Sequence, residues 1–197
     1  MSVQLMQVAA HLRRLIAERS GVSAVEFALV APVMILLFMG TVELPRAYTT
    51  GQHAHRAARS MADLISRRTL TTQEVDGVYK TGRSIVAPYD ATDAKIILTS
   101  AGVYLQRDGS FKAKVCSSNA VNAVKYVAST DLGAPPPSEA VDKARYVIAK
   151  LTIEYKPIFN ILPALNAFSF EREVTWPIRA TNGKEIILPG GVGCPAT

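Results

Sequence analysis

The sequence is poor in the residues from which catalytic and metal sites are usually built. Its 197 residues include two cysteines, one tryptophan and three histidines, and no histidine follows His55. It contains no G-x-S-x-G, HExxH, P-loop or GxGxxG motif. So few cysteines exclude a disulfide-dense miniprotein, and 49% apolar with 19% charged residues argues against wholesale disorder. We therefore expect that the protein is not an enzyme and binds no cofactor. Its length is typical of a single domain.

Long apolar runs are absent except near the N-terminus, where residues 22–42 read VSAVEFALVAPVMILLFMGTV. About 20 mostly apolar residues cross a hydrocarbon core of roughly 30 Å, so this segment predicts a transmembrane helix. Basic residues in the preceding leader, residues 1–21, favour a cytoplasmic N-terminus and a periplasmic head over residues 43–197. A cleaved signal peptide is the alternative, but its apolar region would be shorter and an A-x-A site would follow.

Glu26 is the one ionisable residue in the apolar segment. A carboxylate in hydrocarbon costs about 2.5–3.5 kcal/mol on insertion scales, so such groups find a partner or reach the membrane surface. Glu26 lies close to the start of the segment. An acid that snorkels to the interface and an acid that pairs within a helix assembly are both open on this evidence.

The residues around Glu26 carry a family resemblance. Arg19-Ser20-Gly21-Val22 and the core Val25-Glu26-Phe27-Ala28-Leu29 resemble the processing site of type IV prepilins, with Glu26 at the fifth mature position if cleavage falls between Gly21 and Val22. After the apolar segment, Glu43-Leu44-Pro45-Arg46 completes a motif that resembles the TadE-like branch of the tight-adherence pilus-assembly proteins. Pro45 stands where relatives often carry glycine, which argues against an unbroken helix past the membrane.

The resemblance implies a pseudopilin-like component of a tight-adherence pilus or secretion system in the bacterial inner membrane. Its partners would be the lipid bilayer, inner-membrane pilus-assembly proteins and other pilin-like subunits, with a prepilin peptidase if the leader is cleaved. The resemblance leaves open the alternative that the protein stays uncleaved as a membrane anchor. Nucleic acid is not expected as a partner, because the basic residues lack aromatic interleaving and lie outside the cytoplasm.

Residues 44–66 continue with small and apolar residues at three- and four-residue steps, which predicts an amphipathic helix with a narrow packing face. That face includes Leu44, Tyr48 and Ala58. His53 and His55 are two residues apart and cannot share a helix face, so we expect a solvated surface and no metal site. The basic run Arg56, Arg59, Arg67 and Arg68 is likewise expected to be solvated, or to meet a partner or acidic headgroups.

The rest of the chain predicts an α+β head, helical over 43–88, β-rich over 94–180 and ending in a tail over 181–197. A second helix opens at the capping box Thr71-Thr72-Gln73-Glu74 and stops before Pro88. Beyond Asp90 the apolar period becomes two, and Asp108-Gly109 predicts a hairpin. The polar stretch that ends in Gly133-Ala134-Pro135-Pro136-Pro137 is expected to be a surface loop. We expect about four mostly antiparallel strands, with both helices on one face.

Cys116 and Cys194 both fall on the exported side, where disulfides persist. A bridge between them would fix the glycine-rich tail to the sheet and stabilise the fold by roughly 4 kcal/mol on chain-entropy arguments. Two free thiols or an intermolecular pair are the alternatives.

A second functional class stays open. The acids Asp90 and Asp93, or Glu171 and Glu173, could serve a membrane-anchored periplasmic binding domain or hydrolase unrelated to pili. Acids at strand spacing on a solvated face are common, however. That alternative predicts a stem replaceable by any apolar anchor, whereas the pilus interpretation predicts sensitivity at Gly21 and Glu26.

Overall fold

The computed structural model describes residues 20–159, 168–180 and 185–195. The chain divides into two compact units, Met1–Pro45 and Arg46–Thr197, called here the stem and the head. Within the described part of the chain, the long N-terminal helix is the one that is apolar and long enough to cross a membrane.

Helix α1 runs from Ser20 to Ser66, 47 residues, and contains both Pro32 and Pro45. Helix α1 therefore contains both the predicted apolar helix over 22–42 and the predicted amphipathic helix over 44–66. Each proline removes one backbone N–H from the helix ladder, a loss that membrane helices tolerate. Pro45 does not end α1, contrary to what its substitution for glycine suggested.

Helix α2, Thr72–Val86, begins at the predicted capping box. The Thr71 amide donates to a carboxylate oxygen of Glu74 at 2.8 Å, and the Glu74 amide donates to the Thr71 hydroxyl at 3.4 Å. These two bonds satisfy amides that have no partner within the helix. The helix ends ahead of Pro88, as the sequence predicted.

The sheet has five antiparallel strands in the order β3-β2-β1-β4-β5. The strands are β1 Lys95–Leu105, β2 Phe111–Val121, β3 Asp131–Gly133, β4 Arg145–Glu154 and β5 Ser169–Pro177. The α+β prediction is confirmed, and so is the hairpin, where Gly109 adopts φ +81° between β1 and β2. The strand beyond the expected four is β3, a three-residue edge strand that pairs with β2 and lies within the polar stretch predicted to be a loop.

The main core lies between the helices and one face of the sheet. The C-terminal part of α1 contributes fully buried small residues such as Ala57 and Ala58, against Ile96 and Leu98 of β1. The helices approach closely where Gly82 meets Met61, since a Cβ at Gly82 would clash with the Met61 sulfur. A smaller cluster on the opposite face includes Ala101, Val103, Ala113, Tyr146 and Ile148.

The predicted packing face of α1 needs a correction at its N-terminal end. Leu44 and Tyr48 are both exposed, whereas Thr50, Gly51 and Ala54 are buried. The buried face of the head helix thus begins at residue 50. The small-residue face that the sequence indicated packs within the head itself.

Candidate functional sites

The stem residues singled out by the sequence lie together in the first turns of α1. Gly21 has no atom within 4 Å of where a Cβ would stand, and Val22 and Phe27 are exposed. Glu26 is also exposed and forms no ion pair within the described residues. The structure thus shows a helix surface of large apolar side chains with one carboxylate near its N-terminal end.

Glu43 and Arg46 lie one helical turn apart in α1. The guanidinium carbon of Arg46 stands 5.5 Å from the ring centre of Tyr89. The Arg46 carbonyl accepts hydrogen bonds from the hydroxyls of Thr49 at 3.0 Å and Thr50 at 2.8 Å. Arg46 therefore contacts the loop after α2, a role within the head that its place in a sequence motif did not reveal.

His53 corrects the expectation of a solvated histidine pair. Its Nδ1 donates to the Ile85 carbonyl at 2.9 Å, and its ring packs edge-on against Tyr89. His55 is exposed. The histidine at 53 therefore joins α1 to the end of α2, a contact between residues 32 apart that helix spacing alone could not indicate.

The two cysteines are disulfide-bonded in the structure, which joins β2 to the C-terminal tail. The register of β1 and β2 shifts at this point: Ser100 pairs with Ser117 and Ala101 with Val115, so Cys116 is the extra residue of a β-bulge. A bulge redirects a side chain out of the regular alternation. The tail is held nearby, since the Leu188 amide donates to the Ser117 hydroxyl at 3.0 Å.

Cys116 and Cys194 also lie near Glu185, forming the one group of potential metal ligands among the described residues. The Cys194 amide donates to the Glu185 carboxylate. Bonded sulfurs do not offer thiolates to a metal, so the bridge accounts for this cluster.

A basic and aromatic surface on the head was only partly visible in the sequence. It consists of Arg56, Arg59, Asp63, Trp176 and Arg179, and is called here the Arg–Trp surface. The guanidinium carbons of Arg59 and Arg179 each lie 5.1 Å from the ring centre of the indole. Arg179 also donates to Asp63 at 3.0 Å, and Asp63 accepts from Arg67 at 2.5 Å.

Trp176 and Arg179 escaped sequence analysis because they come from β5 and the residues after it, more than a hundred positions from their partners on α1. The one signal available was the single tryptophan of the chain, three residues before an arginine.

Three of the four acids considered for catalysis, Asp90, Asp93 and Glu171, lie beside lysines. Asp90 accepts from Lys156 at 2.6 Å, and Glu171 pairs with Lys150 at 2.7 Å. The Lys156 ammonium, helped by the Thr92 amide, holds the pKa of Asp90 well below its ordinary value. Asp93 lies 3.9 Å from the same ammonium. A carboxylate with a lowered pKa is a poor general base near neutral pH.

Part of helix α1 matches the model of a known protein family. The family model described as TadE-like protein matches residues 21–63. This range covers α1 from Gly21 to Asp63, including Glu26, Glu43 and Arg46, and it confirms the resemblance inferred from the motif. No curated protein matches the chain, and neither does any solved structure.

Proposed function

We propose that this protein is a membrane-anchored structural or assembly component, a pseudopilin or minor pilin, of a tight-adherence pilus or secretion system. The observation that carries the proposal is the TadE-like match across residues 21–63, which takes in the apolar stem and the first part of the head. The TadE-like family is associated with pilus-assembly machinery in general. The exposed apolar surface of the stem supports insertion beside lipid or other stems.

The proposed topology places the N-terminus in the cytoplasm and the head in the periplasm, with a single pass through the inner membrane. Arg13, Arg14 and Arg19 before the apolar segment support this orientation by the positive-inside rule. The Cys116–Cys194 disulfide supports it independently, because such bonds persist in the periplasm and are rare in the cytosol.

Glu26 has a specific role in this proposal. Cleavage after Gly21 would create an α-amino group at Val22, four residues before the carboxylate. In a low-dielectric environment the two opposite charges would pair, either within one stem or between neighbouring stems. The pair would set the register of packed stems and replace an uncompensated intramembrane charge. We propose no catalytic role and no cofactor.

The decisive experiment is complementation of a deletion strain with Glu26→Ala. We expect assembled pili or secreted product to be lost, while the protein stays in the membrane at wild-type level. Val30→Ala is the matched control, since Val30 is an exposed apolar residue of the same helix, and it should assemble normally. Normal assembly by Glu26→Ala, or by a chain whose stem is replaced by an unrelated apolar helix, would favour the anchored binding domain or hydrolase instead.

Processing is tested separately by the intact mass and N-terminal sequence of the membrane-extracted protein. A mature N-terminus at Val22 supports cleavage and the charge pair. An N-terminus at Met1 leaves the assembly role standing as an uncleaved anchor, but removes the α-amino partner of Glu26.

A further inference from the structure

The Arg–Trp surface has no role in the function proposed above. It lines a shallow cavity of about 420 Å³ between α1 and the end of β5. Three of its members are arginines and one is an acid, so the cavity is strongly positive. Asp63 is already shared by Arg67 and Arg179, whereas Arg56 and Arg59 have no ion-pair partner in the described parts of the chain.

Two of the three arginines of this surface, Arg59 and Arg179, are held in place before any partner arrives. Arg59 and Arg179 both contact the Trp176 ring, and Arg179 is also fixed by Asp63. A guanidinium over an indole face is stabilised by the negative potential of the ring. Side chains ordered in this way lose less conformational entropy on binding, which raises the affinity available from their charges.

Carboxylates are the chemical group that this arrangement fits. The planar guanidinium offers two parallel N–H donors that match the two oxygens of a carboxylate. Arg56 and Arg59 are three residues apart on α1 and share one helix face, so two acidic side chains of one segment can be bound together. Exposed arginines beside a partly buried tryptophan are also the residue types enriched at the centres of protein interfaces.

We propose that the Arg–Trp surface is a docking site for an acidic segment of a partner protein. Arg56 and Arg59 bind the carboxylates, and Trp176 with Arg179 forms the platform that positions them. The inference stands on the geometry of the head and does not depend on the pilus assignment.

Trp176 provides the test, because it is the one tryptophan in the chain and its fluorescence therefore reports on this surface directly. The full-length protein in zwitterionic nanodiscs is titrated with hexaglutamate, with hexaglutamine as the uncharged control. We expect a saturable change in Trp176 fluorescence with hexaglutamate that weakens as salt rises, and none with hexaglutamine.

Arg56→Gln removes one carboxylate-binding group without touching the indole, and we expect at least about tenfold weaker binding. Arg59→Gln combined with Arg56→Gln should abolish measurable binding. The matched control is Arg107→Gln with Lys125→Gln, which removes two positive charges from exposed loops of the sheet and should bind like the wild type. Unchanged thermal melting of each variant shows that the head is intact.

Three results would overturn the proposal: no saturable response to hexaglutamate, an equal response to hexaglutamine, or equal weakening by the loop control. Phosphatidylglycerol nanodiscs without peptide test whether anionic lipid headgroups bind this surface instead of an acidic segment. A fluorescence change there that Arg56→Gln abolishes, with no response to hexaglutamate, would assign the surface to lipid headgroups.

Discussion

The two parts of helix α1 differ in which side chains they expose and which they bury. In the stem, large apolar side chains are exposed, with Phe27 and Leu29 each 73% accessible. In the head, the same helix buries small side chains completely, Ala57 and Ala58 among them. Soluble proteins seldom leave a continuous apolar surface of this kind uncovered. Helix α1 therefore has two environments: in the head it packs into the protein core, and in the stem it presents an uncovered apolar surface that could span a membrane.

The largest expected effect is the loss of head stability when a charge is placed in the buried part of α1. Ala58→Asp places a carboxylate among fully buried apolar residues, and we expect the head to be destabilised by more than about 4 kcal/mol. Gln52→Asp, on the exposed side of the same helix, should change stability by less than about 0.5 kcal/mol. Thermal melts followed by circular dichroism measure both. Equal melting of the two variants would show that α1 does not pack into the core as described.

The second largest expected effect is the loss of head stability when the disulfide is removed. The bridge closes a loop between residues 78 positions apart, so Cys116→Ala with Cys194→Ala should lower the stability of the head by about 4 kcal/mol. Denaturant melts with and without reductant measure the loss, and reductant should not affect the double variant. A labelled free thiol in the native oxidised protein would restore the alternative of unpaired cysteines. A dimer on a non-reducing gel that reductant separates would restore the alternative of an intermolecular pair.

A charge in the stem should reduce membrane insertion and leave the stability of the head unchanged. Leu36→Asp exchanges an exposed apolar residue near the middle of the apolar segment for an acid, at an insertion cost of about 3 kcal/mol. We expect less protein in the carbonate-washed membrane fraction. The circular dichroism melt of the extracted protein, which reports on the head, should stay that of the wild type. Leu36→Ala is the control and should insert normally. Normal insertion of Leu36→Asp would exclude bilayer contact at this position.

The features that the sequence predicted are local. The capping box at Thr71 set the start of α2, Asp108-Gly109 set the hairpin, and the change in apolar period separated helices from strands. Each depends on residues a few positions apart, and so it can be read without knowing what packs against it. The motif around Glu26 likewise lies within one short segment, which is why the resemblance to the TadE-like family could be found from the sequence.

The features that the sequence missed depend on strand register or on distant contacts. The bulge at Cys116 is visible only once Ser100 is paired with Ser117. The Arg–Trp surface forms only when Trp176 of β5 packs against Arg59 of α1. The hydrogen bond of His53 likewise depends on the end of α2 lying beside α1. The shift of the α1 packing face from Leu44 to residue 50 has the same origin, since helical periodicity does not tell where a covering sheet begins.

The smallest expected effect is the acid sensitivity of the α2 cap. Arg68, together with the Thr71 amide and hydroxyl, lowers the pKa of Glu74 from its ordinary 4.5 to about 2. Because this carboxylate is favoured in the folded state, its contribution to stability is complete above pH 4.5 and is lost as the pH falls through about 2. Other acids in the head also have lowered pKa values, so the difference between wild type and Glu74→Gln isolates this one.

We therefore expect the melting temperatures of wild type and Glu74→Gln to converge as the pH falls from about 4.5 to 2, with membrane extraction of both unchanged throughout. A constant difference between the two melting curves would mean that Glu74 contributes through shape or packing and that its charge does not stabilise the cap. Acid-induced loss from the membrane would instead place a titrating contact in the stem, and the sharp division between the two environments of α1 would no longer hold.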